Sequence, residues 1–207
     1  MEIFEGSYGG RSGLDGMDAV DTLYANTRNN PIEDIESHLP LRVSRYELRD
    51  DASGAGEWRG GLGSVREFEY LAPGGASVEG EGHVFAPWAL AGGMPGHPAE
   101  LRLIRHDGTV DRLPSKVPHM PIRAGEKFVC VGPAGGGYGD PLARDPARVR
   151  DDVADGFVSA EAAKNDYGVV LIAPDVVEEE ATARLRVQRR ALDRATATQR
   201  TPVFPSG

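Results

Sequence analysis

Along the first two-thirds of the chain, apolar positions recur in short runs with the period of half-buried strands, and glycine or proline separates the runs. Leu41 to Leu48 alternates through Leu41 and Val43, then changes phase to Tyr46 and Leu48, as a strand carrying a bulge does. Val65–Leu71 and Leu101–Arg105 read as further strands. Asp107-Gly108 is a hairpin signal, and Thr109–Leu113 is the returning strand. Phe128-Val129-Cys130-Val131 is apolar at every position, which predicts a strand buried on both faces.

The period changes towards the C-terminus. Asp145-Pro146 offers an N-cap followed by a proline at the first helical position, Val149 and Val153 share a face, and Gly156 can end the turn. Ser159 is the cap expected for a second helix, Ala160 to Tyr167, closed by Gly168; Val169–Ile172 is β-branched enough for a final strand. Asp175, with Glu178 as capping-box partner, is expected to open a third helix. Its acidic first turn and its arginines further along complement the helix dipole. The pattern predicts an α+β protein: a β-rich body of short, mostly antiparallel strands with glycine-rich loops, then two or three helices.

Composition changes this picture at one point. Of 207 residues 27 are glycine, clustered in 6–16, 54–63, 74–82, 92–96 and 132–139, so the glycines mark loops with special backbone demands and not a linker. With 23 basic and 32 acidic side chains, the net charge of −9 gives no long-range attraction to nucleic acid or an anionic membrane, and neither is an expected partner. The single cysteine, Cys130, reads as a buried thiol. No apolar stretch approaches the ~20 residues needed to span a bilayer, and no basic region with an apolar core opens the chain, so a cytoplasmic, soluble protein is expected.

Candidate chemistry is narrowed mostly by exclusion. Five histidines and one cysteine include no pair at metal-ligand spacing, and Ser64 lacks the following glycine of a nucleophile elbow. The run Gly132-Pro133-Ala134-Gly135-Gly136-Gly137-Tyr138-Gly139-Asp140-Pro141 lacks the Lys-Ser or Lys-Thr of a P-loop. It is either a structural turn or a loop that lets backbone approach a ligand, with Asp140 holding Tyr138 in place. The glycine loop 6–16 carries Tyr8, Arg11 and Asp15, the composition of a binding loop, and Lys116 lies in a proline-bracketed turn.

Taken together, several blocks in one order resemble the C-terminal region of the hydantoinase B/oxoprolinase family. They are Gly9-Gly10 with Gly13-Leu14-Asp15-Gly16-Met17-Asp18-Ala19, then Asn26-Thr27-Arg28-Asn29 and Pro31-Ile32-Glu33. Pro40-Leu41-Arg42-Val43, Arg45-Tyr46-Glu47-Leu48-Arg49, Gly54-Ala55-Gly56, Trp58-Arg59-Gly60-Gly61-Leu62-Gly63 and Arg66-Glu67 follow. Pro87-Trp88, Gly92-Gly93 and Leu113-Pro114-Ser115-Lys116-Val117 come next, then Gly135–Pro141, Val158-Ser159, Ala162-Ala163 and Asp166–Val170. The resemblance covers residues 1–172, leaving 173–207 as a C-terminal helix and tail.

The resemblance implies a B-type subunit of an ATP-dependent cyclic-amide hydrolase of the N-methylhydantoinase/5-oxoprolinase kind, working as a hetero-oligomer. Expected partners are an A-type subunit, the N-terminal portion of a B-type subunit and a small cyclic amide. ATP and a divalent metal are expected on those partner parts, with no cofactor bound by this chain alone, which is expected to be inactive by itself. The catalytic polar contacts are assigned to Asp15, Asn26 and Lys116, and substrate binding to Tyr8, Arg11, Tyr138 and Asp140. A component of an acetone- or acetophenone-type carboxylase, or a non-catalytic assembly module, would share the same blocks. The family's run of four glycines is shortened here by Ala134, Glu81-Gly82-His83 stands where many members carry an Asp-Arg pair, and Asp21–Tyr24 lacks a histidine often found before the Asn-Thr motif.

Overall fold

The computed structural model describes residues 3–21 and 28–199, side chains from 193 onward excepted. The chain forms two compact units, Met1–Ala143 and Arg144–Gly207.

The first unit is organised by a five-stranded antiparallel sheet in the order β1-β2-β7-β4-β5, with β1 Leu41–Leu48, β2 Ser64–Tyr70, β4 Glu100–Ile104, β5 Val110–Leu113 and β7 Lys127–Val131. The fully apolar β7 is its central strand. Phe128 and Cys130 pack on one face with Leu101, Leu103 and Ile122, while Val129 and Val131 join Val65 on the other. The predicted bulge lies in β1, where the register with β2 shifts between Val43 and Arg45. Ser44, the extra residue there, donates its hydroxyl to Glu67 at 2.7 Å. Asp107-Gly108 forms the β4–β5 turn, with Gly108 at φ +84° and the Asp107 carboxylate accepting from Thr109 N–H at 2.9 Å.

Three elements escaped the periodicity. A seven-residue helix, α1 Ile32–His38, precedes β1, and its Glu36 carboxylate accepts the Val43 N–H at 2.8 Å, occupying a donor on the outer edge of the sheet. Strands β3 Gly74–Glu79 and β6 Lys116–Ile122 pair as a separate two-stranded sheet, whose Ala76, Val78 and Met120 pack on the Phe128 face of the main sheet. Pro118 and Pro121 argue against a strand in sequence; a two-stranded ribbon tolerates them because each strand has a free edge. Lys116 therefore opens a strand and does not sit in a turn.

Four glycine-rich segments of this unit interlock backbone against backbone. The segment 132–139 leaves β7 and runs between 8–10, 54–61 and 88–97. Ala134, Gly135, Gly137, Tyr138 and Gly139 donate their N–H groups to the carbonyls of His97, Gly61, Met94, Trp58 and Leu90 at 2.9–3.1 Å. In return the carbonyls of Gly135, Gly136 and Gly137 accept from Gly54, Gly10 and Leu90 at 2.8–3.1 Å. No side chain fits between these segments. A Cβ on Gly60 would stand 1.9 Å from the Gly135 carbonyl oxygen, and one on Gly136 would stand 1.8 Å from that of Trp88.

The second unit begins with α2 Pro146–Ala154, capped by the Asp145 carboxylate at 2.9 Å from Ala147 N–H, and α3 Ala160–Asn165, capped by Ser159. Arg144, almost fully buried, meets the Asp152 carboxylate at 2.8 Å. The final strand pairs as β8 Leu171–Ala173 with β9 Val176–Val177, so Asp175 opens no helix. The β-branched pair Val176-Val177 takes the strand, and α4 Glu179–Gln199 starts later, its Ala181 N–H held by the Glu178 carboxylate. Thr182 and Arg186 tie α4 to its own unit: the Thr182 hydroxyl accepts from Val170 N–H at 3.0 Å, and Arg186 donates to the Tyr167 and Arg144 carbonyls at 3.0 and 2.8 Å. No helix among the described residues is long and apolar enough to cross a membrane.

The interlock makes the glycines unequal. Gly60→Ala should destabilise the chain by about 3 kcal/mol or more, because the clash is with backbone that cannot rotate away. Gly13→Ala should cost only about 1 kcal/mol, since nothing lies within 4 Å of its Cβ and the cost is that of φ +89° alone; urea unfolding midpoints measure both. On the sheet, Glu67 is pushed up by burial but pulled down further by hydrogen bonds from Lys127, at 2.8 Å, and Ser44, leaving it below the usual carboxylate value. A depressed carboxylate stabilises above its unfolded pKa and loses that contribution as pH falls through its folded one. Lys127→Met should therefore lower stability by about 1 kcal/mol at pH 7, a figure reduced for the half-exposed ammonium. The difference from wild type should shrink as thermal melts are repeated below about pH 4.

Candidate functional site

The interlock fixes the N-terminal glycine loop through charged side chains placed at its turns. Asp18 receives both ends of the buried Arg59 guanidinium, at 2.8 and 3.2 Å, and also the Leu62 N–H at 2.7 Å. Asp15 accepts the Arg59 N–H at 2.8 Å. One residue of the 54–63 segment is thus gripped by side chain and backbone together, which sets the path of residues 15–18 beside it. Gly61 adds a 2.8 Å bond to the Tyr8 carbonyl, and Gly16 one of 2.8 Å to the Arg59 carbonyl.

A second charged centre forms around Glu5. Its carboxylate accepts from the Tyr46 hydroxyl at 3.0 Å, from Ser64 at 3.2 Å and from the Asn29 amide. The buried Arg66 guanidinium lies 3.7 Å from it and stacks 3.8 Å over the Tyr46 ring. Together these contacts seat the N-terminal segment on the sheet.

Beside that segment opens a cavity of about 830 Å³. Phe4, Val78, Leu101 and Val131 give it an apolar floor. Tyr8, Asp21, Glu79, Glu81, His83 and Glu100 supply its polar groups. The Tyr8 hydroxyl donates to the Asp21 carbonyl at 3.2 Å. Arg49 braces the wall, donating to the Pro98 carbonyl at 2.7 Å and to Glu100 at 3.4 Å, and burial holds its pKa below the ordinary guanidinium value. Lys116 reaches 3.8 Å from Glu81 and 4.0 Å from Glu79, balancing part of the acidic rim. Burial pushes the Cys130 thiol, which lines the floor, far up from its usual value, so it stays protonated and serves as an apolar wall. Among the described residues no group of three or more His, Cys, Asp or Glu side chains is arranged to hold a metal ion.

The residues singled out in sequence separate into distinct places. Tyr8 lines the cavity, and Lys116 stands behind its rim through Glu79 and Glu81. Asp15 and Tyr138 meet consecutive residues of one segment, Asp15 through Arg59 and Tyr138 through paired backbone bonds with Trp58. Arg11 is exposed in a turn closed by mutual bonds with Leu14, and exposed Asp140 caps the Leu142 N–H at 2.8 Å. Asn26 lies outside the described residues. Of the two readings of the loop 132–141, the backbone favours the structural one: six of its amides, Gly132 N–H to the Ser64 carbonyl included, are committed to protein carbonyls and cannot cradle an anion. Sequence reasoning missed Arg59–Asp18 as a pair and Glu5 as a hub; their signal was a charge set among glycines and apolar residues, where burial demands a partner.

Comparison with known proteins fits this geometry. The model of the hydantoinase B/oxoprolinase family matches residues 1–141. The B-type subunit of a putative D-/L-hydantoinase from Pseudomonas sp. (strain NS671) is 55% identical over 188 residues, which make up 90% of this chain and 32% of that protein. The crystal structure of ATP-dependent caprolactamase from Pseudomonas jessenii superposes with a TM-score of 0.77 at 35% identity, over 89% of this chain and 33% of that one. The nucleotide-free structure of acetone carboxylase shares the fold, with a TM-score of 0.80 at 21% identity over 98% of this chain and 31% of its own. The chain thus spans about a third of the length of these relatives. Since the matched residues take in the central sheet and all four interlocked glycine segments, the chain belongs to the hydantoinase B/oxoprolinase family.

Proposed function

We propose that the chain acts as the C-terminal part of a B-type subunit in an ATP-dependent hydrolase of cyclic amides, of the N-methylhydantoinase/5-oxoprolinase kind. The observation that carries the reading is the 55% identity with a hydantoinase B-type subunit across 90% of the chain. The ATP-dependent caprolactamase supports it from the side of structure. The chain works with an A-type subunit and with the N-terminal portion of a B-type subunit, and ATP and a divalent metal are held on those parts. ATP phosphorylates the amide oxygen and leaves as ADP; water adds to the ring carbon so activated, the C–N bond breaks to give a free amine and an acyl phosphate, and a second water releases phosphate and leaves the carboxylate.

Within that reading this chain supplies walls and polar contacts. Tyr8 lines the cavity with its hydroxyl proton given to the Asp21 carbonyl, so its oxygen is left to accept from a substrate amide N–H, and the apolar floor excludes water from the ring. Asp15 acts as a positioning residue through its bond to Arg59; Tyr138 holds the same segment through Trp58, and Asp140 caps Leu142 behind it. A second reading, a non-catalytic assembly module, is favoured by those same internal bonds, since Asp15 and the glycine loop serve the fold directly.

Co-expression of the chain with an A-type subunit and a B-type N-terminal portion should give ATP cleavage that depends on hydantoin or 5-oxoproline. Tyr8→Phe should lower kcat/KM about tenfold, the loss of one hydrogen bond to substrate. An assembled complex without lactam-dependent turnover, but with bicarbonate- and ketone-dependent ATP use, would replace hydrolase by carboxylase. Full activity with Tyr8→Phe, Asp15→Ala and Tyr138→Phe would favour the assembly module.

A further inference from the structure

Between Val84 and Leu90 the first unit displays large apolar side chains to solvent: Val84, Phe85, Trp88 and Leu90 are 80%, 84%, 83% and 57% exposed. No charged residue occurs from Ala86 to Gly96. The loop beneath is held firmly. The Pro87 carbonyl accepts from Gly96 N–H at 2.9 Å, Leu90 N–H donates to Gly137 at 3.1 Å, and the Trp88 carbonyl is the group against which Gly136 is seated. Trp88 thus has its backbone locked into the interlock and its indole in water. A fixed loop that projects Trp and Phe is preorganised for burial by a partner, because little entropy remains to be lost on docking. Large apolar side chains exposed together along one short segment mark an interaction surface.

Resting on the B-type reading above, we infer that Phe85 and Trp88 are the anchors on which the remainder of a B-type subunit packs. The lengths of the relatives select this occupant. In the D-/L-hydantoinase protein, caprolactamase and acetone carboxylase, the region matching this chain is about a third of one polypeptide, so the other two thirds are its permanent neighbour. Permanent interfaces resemble a core cut in half and are more apolar than those between chains that meet and part. The position fits as well: residues 79–83 line the cavity and lead directly into Val84, so a partner seated on Phe85 and Trp88 extends the wall of the candidate site.

The test co-expresses the full chain with a tagged fragment, the N-terminal two-thirds of the B-type protein of the Pseudomonas hydantoinase, and measures the affinity of the purified pair. Phe85→Ser and Trp88→Ser should each weaken binding at least tenfold with melting curves unchanged, since both side chains are already in water. Val187→Ser, on an exposed position of α4, should have no effect. If wild type does not bind, the B-type reading fails together with this inference. If wild type binds and both variants bind equally well, the surface is wrong while the partner stands. Loss of self-association, or loss of binding to an A-type subunit with the B-type fragment still bound, would also overturn it.

Discussion

Close contact between peptide backbones, with nothing between them, is the constraint on which the first unit depends. Strand β7 is made from side chains packed on both faces, but where it ends the chemistry changes. The chain continues as 132–139, whose neighbours are carbonyls and amides of three other segments. Van der Waals contact and hydrogen bonding there come from the same atoms, so any Cβ at Gly60 or Gly136 would push apart groups that must bond. The glycine content is therefore a packing requirement. The cavity, the N-terminal loop and the apolar loop at 84–90 all take their positions from this region.

Charges complete what the backbone begins. Asp18 and Arg59 close the N-terminal loop on one side, and Glu5, Arg66 and Tyr46 close it on the other. Arg59, Glu5 and Arg66 are buried, where an ion without a partner would be costly, and each pair is completed by backbone or hydroxyl donors. The same arrangement explains why the acidic rim of the cavity persists beside the apolar floor: Arg49 and Lys116 stand behind its carboxylates.

Where one physical signal dominated, the sequence was readable. The unbroken apolar run at 128–131 became the central strand, the phase change at Val43–Tyr46 became a register shift, and Asp145-Pro146 and Ser159 became helix caps. Competing signals misled. Prolines concealed β6, whose free edge tolerates them, and Asp175 looked like a cap until Val176-Val177 took up strand pairing. The site was less legible than the fold. Tyr8 reaches the cavity, but Asp21, Glu79 and Glu100 gather there from segments far apart in the chain, and no local pattern announces a meeting of that kind.

The four interlocked segments also set an order of events. Ser7 and Pro133, joined by a hydrogen bond, are 126 positions apart, and the central filament is the last of the four to be synthesised. Until it arrives, the segments 8–10, 54–61 and 88–97 lack their common partner and have only bonds among themselves, such as Gly61 N–H to the Tyr8 carbonyl and Met94 N–H to the Ala55 carbonyl at 2.8 and 2.7 Å. On the ribosome the N-terminal loop can meet the 54–63 segment early, but the interlock as a whole closes only after residues 132–139 have emerged.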